Sequence, residues 1–74
     1  MDERRLWVAL PGRMPGLVPS VIAALVDAPL HEVVITLERM VAAGRVIRRF
    51  RKGHDVYYRG YWPDEPNPPD LTLF

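Results

Sequence analysis

The sequence contains no cysteine, a single serine, Ser20, and only two histidines, His31 and His54. Without cysteine there can be no disulfide and no thiolate zinc site. The histidines belong to different predicted elements, and the carboxylates beside them, Glu32 and Asp55, are immediate chain neighbours that point elsewhere. Nucleophile, base and orienting group cannot be assembled from such a set. The sequence therefore predicts no enzyme, no cofactor and no metal site. Long hydrophobic runs are also missing. Leu6 to Leu10 is far too short for a signal or membrane segment, and Asp2 and Glu3 are the wrong flank for one. No internal repeat is present. A cysteine-free chain without a membrane segment is compatible with a reducing cytoplasm, the expected location.

What is present fits one small domain. A chain of 74 residues buries only about 60% of the surface its unfolded form exposes, so the core is small and the stability marginal. Association into a homodimer would be an economical remedy. The net charge is only +1, but its distribution is uneven. Between Arg39 and Arg59 there are seven Lys/Arg against one acid, Asp55, whereas the rest of the chain carries three cations and eight acids. The molecule is electrically two-faced.

The organising stretch runs from Pro29 to Arg59. A helix starts near Leu30 or His31, and its apolar positions Val33, Leu37 and Met40 fall at i, i+4 and i+7. Gly44 ends it. Two basic, β-rich runs follow, Arg45–Arg51 and Val56–Tyr61, joined by Lys52, Gly53, His54 and Asp55 in a hairpin pattern. Phe50, Val56 and Tyr58 are the residues expected to hold that hairpin to the core. Upstream, Asp2 to Arg5 opens a short helix with acids at its positive end, Leu6 and Leu10 face the core, and Trp7 covers its edge. Pro11 and Gly12 end that helix. Pro19 suits the first turn of a second helix, whose buried stripe is Val21, Ile22, Leu25 and Val26. Asp27 to Pro29 is the turn into the third helix, and Asp27 is the candidate cap for it.

The order of Leu37-Glu38-Arg39-Met40, Ala43-Gly44, Val46-Ile47-Arg48-Arg49 and Val56-Tyr57-Tyr58-Arg59 resembles the winged helix-turn-helix DNA-binding superfamily, in particular its small bacterial and phage regulators. The resemblance covers roughly residues 3 to 61. It implies an α+β fold of three helices and a β-hairpin wing over residues 1–62, with a Pro-rich tail at 63–74. Pro29 stands where the family usually has a capping serine or threonine.

With that fold, the expected partner is duplex DNA. Arg45, Arg48, Arg49, Arg51, Lys52, His54 and Arg59 are the candidate phosphate contacts of the wing. His31, Val34 and Ile35 are the outward candidates on the third helix. Val34 and Ile35 are expected to be exposed, because the buried face is already defined, and Glu32 and Glu38 lie beside them. Apolar and acidic positions fit base-edge reading poorly and equally suit a protein contact. The tail opens a second possibility. Pro63 to Asp70 holds four prolines and three acids in eight residues, a semi-rigid linker composition. Asp70-Leu71-Thr72-Leu73-Phe74 resembles the bacterial sliding-clamp-binding peptide, with Leu71, Leu73 and Phe74 as its anchors and Asp70 where glutamine is usual. Either those anchors bind a partner, making the chain a protein-interaction adaptor, or they fold back to cover the core or pair as a strand.

Overall fold

The computed structural model describes residues 1–63. Elements follow in the order α1 (Glu3–Ala9), α2 (Pro19–Val26), α3 (Leu30–Ala42), β1 (Val46–Arg51) and β2 (His54–Arg59). It is a small α+β fold of three helices and an antiparallel hairpin. The expected linker and terminal peptide, from Asp64 to Phe74, lie outside the described residues. No single described helix is long and apolar enough to cross a membrane.

Most of the helix boundaries have a local reason. At α1, the Asp2 side chain accepts from the Arg4 N–H at 3.0 Å, which satisfies one of the free donors of the first turn. Pro19 sits in the first turn of α2, where its missing N–H costs nothing. The expected cap from Asp27 onto α3 is not made. Asp27 instead closes α2 in the left-handed region (φ 55°), its N–H donating to the Ala23 carbonyl, and Pro29 precedes α3 with no side-chain cap. α3 ends in a Schellman motif: Arg45 N–H donates to Met40 O at 2.9 Å and Gly44 N–H to Val41 O at 3.0 Å, with Gly44 at φ 78°.

Leu6, Trp7, Leu10, Ile22, Val26, Val33, Leu37, Met40, Val46 and Tyr57 form the core. Val33, Leu37 and Met40 are fully buried as their spacing predicts, and Thr36 joins them by folding its hydroxyl onto the Glu32 carbonyl at 2.7 Å. The stripe of α2 is narrower than expected. Ile22 and Val26 are buried, while Val21 and Leu25 are exposed, since an eight-residue helix packed on α1 and α3 needs only one i, i+4 row.

The hairpin is tighter than the sequence suggested. Its turn is two residues, Lys52 at φ 51° and Gly53 at φ 84°, the type I′ geometry whose twist matches that of the flanking strands. His54 and Asp55, expected in the link, are the first two residues of β2. The register pairs Val46 with Arg59, Ile47 with Tyr58, Arg48 with Tyr57, Arg49 with Val56, Phe50 with Asp55 and Arg51 with His54. On the far side of β2, Leu17 makes a single antiparallel bridge to Tyr57 with two 2.9 Å bonds. That approach is possible because residue 16 is glycine: a Cβ there would lie 2.5 Å from the Tyr57 carbonyl oxygen.

Candidate nucleic-acid interface

Opposed residues in an antiparallel pair project to the same side, so the register sorts the hairpin into two faces. One carries Val46 and Arg59, then Arg48 and Tyr57, then Phe50 and Asp55; the other carries Ile47 and Tyr58, then Arg49 and Val56, then Arg51 and His54. Val46 and Tyr57 turn the first face toward the core. This corrects the expected anchors. Tyr57 holds the hairpin down; Val56 and Tyr58 lie on the opposite face and are only half-buried, and Phe50 is 73% exposed. Phe50 does share a face with Val46, but the strand has run past the edge of the core by the time it reaches that ring.

The second face grades from apolar at the base, Ile47 and Tyr58, to basic at the tip, Arg51 and His54, with Lys52 on the turn itself. Arg48, Arg49, Arg51, Lys52 and His54 are all exposed. Arg49, Arg51 and Lys52 make no ion pair among the described residues.

The other two arginines expected here are committed elsewhere. Arg59 donates from Nε to the Leu10 carbonyl at 2.7 Å, and its guanidinium lies 5.1 Å from the Trp7 ring centroid. Arg45 lies 4.6 Å over the Trp62 ring, and its carbonyl accepts from Trp7 Nε1 at 2.9 Å. Arg4 is within 5.6 Å of Trp7 and 5.4 Å of Trp62, and the two indoles are themselves 5.6 Å apart. Three arginines and two tryptophans thus lock α1 to the exit of β2. Cation–π contacts are worth about 0.5–1 kcal/mol each at exposed sites, so Arg45 and Arg59 serve the fold. The clue available in the sequence was the pair of tryptophans at the two ends of the packed region.

Between the hairpin and α3 lies a cleft of about 370 Å³ lined by Val18, Pro19, Val34, Glu38, His54, Asp55 and Tyr57. Val34 is half-buried there rather than exposed as expected, whereas Ile35 on the next position is 56% exposed. His31 is exposed in the first turn of α3. Burial pushes the Tyr57 phenol above its ordinary value; hydrogen bonding from the Arg48 guanidinium opposes this, and the charges of Asp55 and Glu38 add to it. The cleft therefore mixes apolar groups with two carboxylates, features not foreseen because they depend on register. Among the described residues, no cluster of His, Cys, Asp or Glu could hold a metal. Asp70, Leu71, Leu73 and Phe74 lie outside the described residues. No protein-family model, no curated protein and no solved structure matches this chain.

Proposed function

We propose that the chain is a winged helix-turn-helix protein that binds duplex DNA without chemistry, as a small regulator or DNA-transaction accessory factor, with the hairpin as its wing. The observation that carries this reading is the exposed basic group Arg49, Arg51 and Lys52, with Arg48 on the other face, along a hairpin closed by a two-residue turn. Phosphates are the ligands such a group fits best, and their contacts position a protein without reading sequence. The exposed side of α3, with His31, Glu32, Ile35 and Glu38, contributes few donors for base edges. Binding is accordingly wing-led and weakly sequence-specific.

Each phosphate neutralised adds about 0.9 to the slope of log K against log salt, so four contacts cost affinity roughly 150-fold between about 50 and 200 mM salt. Titration of a random-sequence duplex across that range tests the reading. Changing Arg51 and Lys52 together to Ala should flatten the slope by about 1.8. An unaltered affinity and slope in that double variant would refute it.

A second reading, a protein-interaction adaptor, is favoured by one observation: exposed Ile35 sits beside a cleft whose carboxylates, Glu38 and Asp55, would repel phosphate. In that case changing Val34 and Ile35 to Ser removes partner binding, or dissociates a homodimer in light scattering, while DNA binding at low salt is unaffected. The sliding-clamp peptide at Asp70–Phe74 belongs to the same reading. Its test is loss of capture by a purified bacterial clamp when Phe74 is changed to Ala, at an unchanged melting temperature.

A further inference from the structure

We infer that Phe50 is an apolar wedge that inserts at a base step of the bound duplex, so that the hairpin deforms DNA as well as holding it. The inference rests on the DNA reading proposed above and assigns separate tasks to the two faces of the same hairpin. Among the described residues, Phe50 is the most exposed of the large hydrophobics, at 73%. A single exposed apolar side chain is ordinary, but the setting of this one is not. It stands on a strand one residue from the start of the turn, so its direction is fixed by the ladder rather than free as in a loop. An aromatic ring on a hairpin normally finds apolar cover across the strand. Opposite Phe50 is Asp55, which gives none.

The charge pattern says which way that ring faces when the hairpin is on DNA. Arg49, Arg51 and His54 share the other face, so the phosphate backbone is drawn to that side. Asp55, beside Phe50, would be repelled by phosphate. The Phe50 face is therefore turned from the backbone toward the groove floor, where base edges offer apolar surface and amino donors to a carboxylate. Arg48, on the same face but two residues nearer the core, lies toward the base of the hairpin and is held beside Tyr57, away from the tip that carries Phe50. Apolar side chains placed in this way part a base step and kink the duplex, and flexible pyrimidine–purine steps yield most readily. Stacking a ring on a base needs no sequence-specific hydrogen bond, which agrees with the poverty of base-reading groups on α3.

The test uses the full chain and two end-labelled duplexes, one with TA steps at its centre and one with a stiff A-tract, read by energy transfer between the ends and by affinity at two salt concentrations. Wild type should shorten the TA duplex more than the A-tract duplex. Phe50→Ser should melt as wild type does, bind about tenfold more weakly, keep the salt slope and leave both duplexes straight. Phe50→Leu should retain part of the bend. If Phe50→Ser binds and bends as wild type does, or if wild type binds while leaving both duplexes straight, the wedge is overturned and DNA binding stands. If wild type fails to bind either duplex at low salt, the DNA reading falls and the wedge falls with it.

Discussion

Replacing each tryptophan by phenylalanine separates two environments that look alike in sequence. Trp7 is buried and donates from Nε1 to the Arg45 carbonyl at 2.9 Å. The same carbonyl also accepts the Gly60 N–H at 2.8 Å, so it is not orphaned when the indole is removed. Trp7→Phe then loses one net hydrogen bond, about 0.5–1.5 kcal/mol, and the packing of the deleted ring, worth roughly two methylene groups at about 0.8 kcal/mol each. The sum is about 2–3 kcal/mol. At about 4–8 °C per kcal/mol for a domain of this size, the melting temperature should fall by roughly 10–20 °C. Trp62 differs because its Nε1 is buried with no hydrogen-bond partner among the described residues. Removing that donor recovers about 1–3 kcal/mol of desolvation, against a smaller packing loss from a half-buried ring. Trp62→Phe should therefore lie within about 1 kcal/mol of wild type. Thermal melts followed by circular dichroism at the helix band measure both. Equal losses for the two variants would refute the reasoning, because the Trp62 N–H would then have to be satisfied.

Three further outcomes are expected. Leu37→Ala, at a side chain with 0% exposure between α3 and its neighbours, should cost about 2–5 kcal/mol; a melt within a few degrees of wild type would contradict that core. Gly16→Ala should break the Leu17–Tyr57 bridge, since the new methyl meets backbone at 2.5 Å, and rapid hydrogen exchange at the Leu17 amide would report it. Tyr57 has a folded-state pKa raised by burial, so its contribution to stability is complete below the unfolded value of about 10 and is lost as pH rises through the folded value. The melting temperature of wild type should consequently drop more steeply above about pH 10 than that of Tyr57→Phe.

How far the fold could be read in advance depended on the type of regularity. The third helix was legible because Val33, Leu37 and Met40 keep a strong period and Gly44 closes it. The hairpin was legible as a hairpin, but its register was not. Lys52 takes a positive φ that is rare outside glycine, and the sequence carries no mark distinguishing a two-residue turn from a four-residue link. That difference moved His54 and Asp55 into β2 and decided which of Phe50, Val56, Tyr57 and Tyr58 faces inward. For the candidate interface, composition located the basic region but could not apportion it. Arg45 and Arg59 are as basic as Arg49 and Arg51, and only the long-range approach of Trp7 and Trp62 draws them into the fold. Val34 and Ile35 differ for a related reason: adjacent positions on α3 point about 100° apart, and only the first meets the cleft.

β1 pairs with β2 on one side only, and among the described residues its other edge pairs with no strand. Such an edge invites a second chain to add itself through backbone bonds, the first step of irreversible aggregation, and natural proteins guard it with charge. Arg48, Arg49 and Arg51 make β1 a self-repelling edge, so solubility and the proposed DNA contacts draw on the same side chains. Neutralising them all would strip the guard from a strand reading Val-Ile-Ala-Ala-Phe-Ala and leave a protein that precipitates as well as one that has lost the proposed contacts. Glutamine replacements, introduced one at a time, preserve the guard and keep the two losses apart.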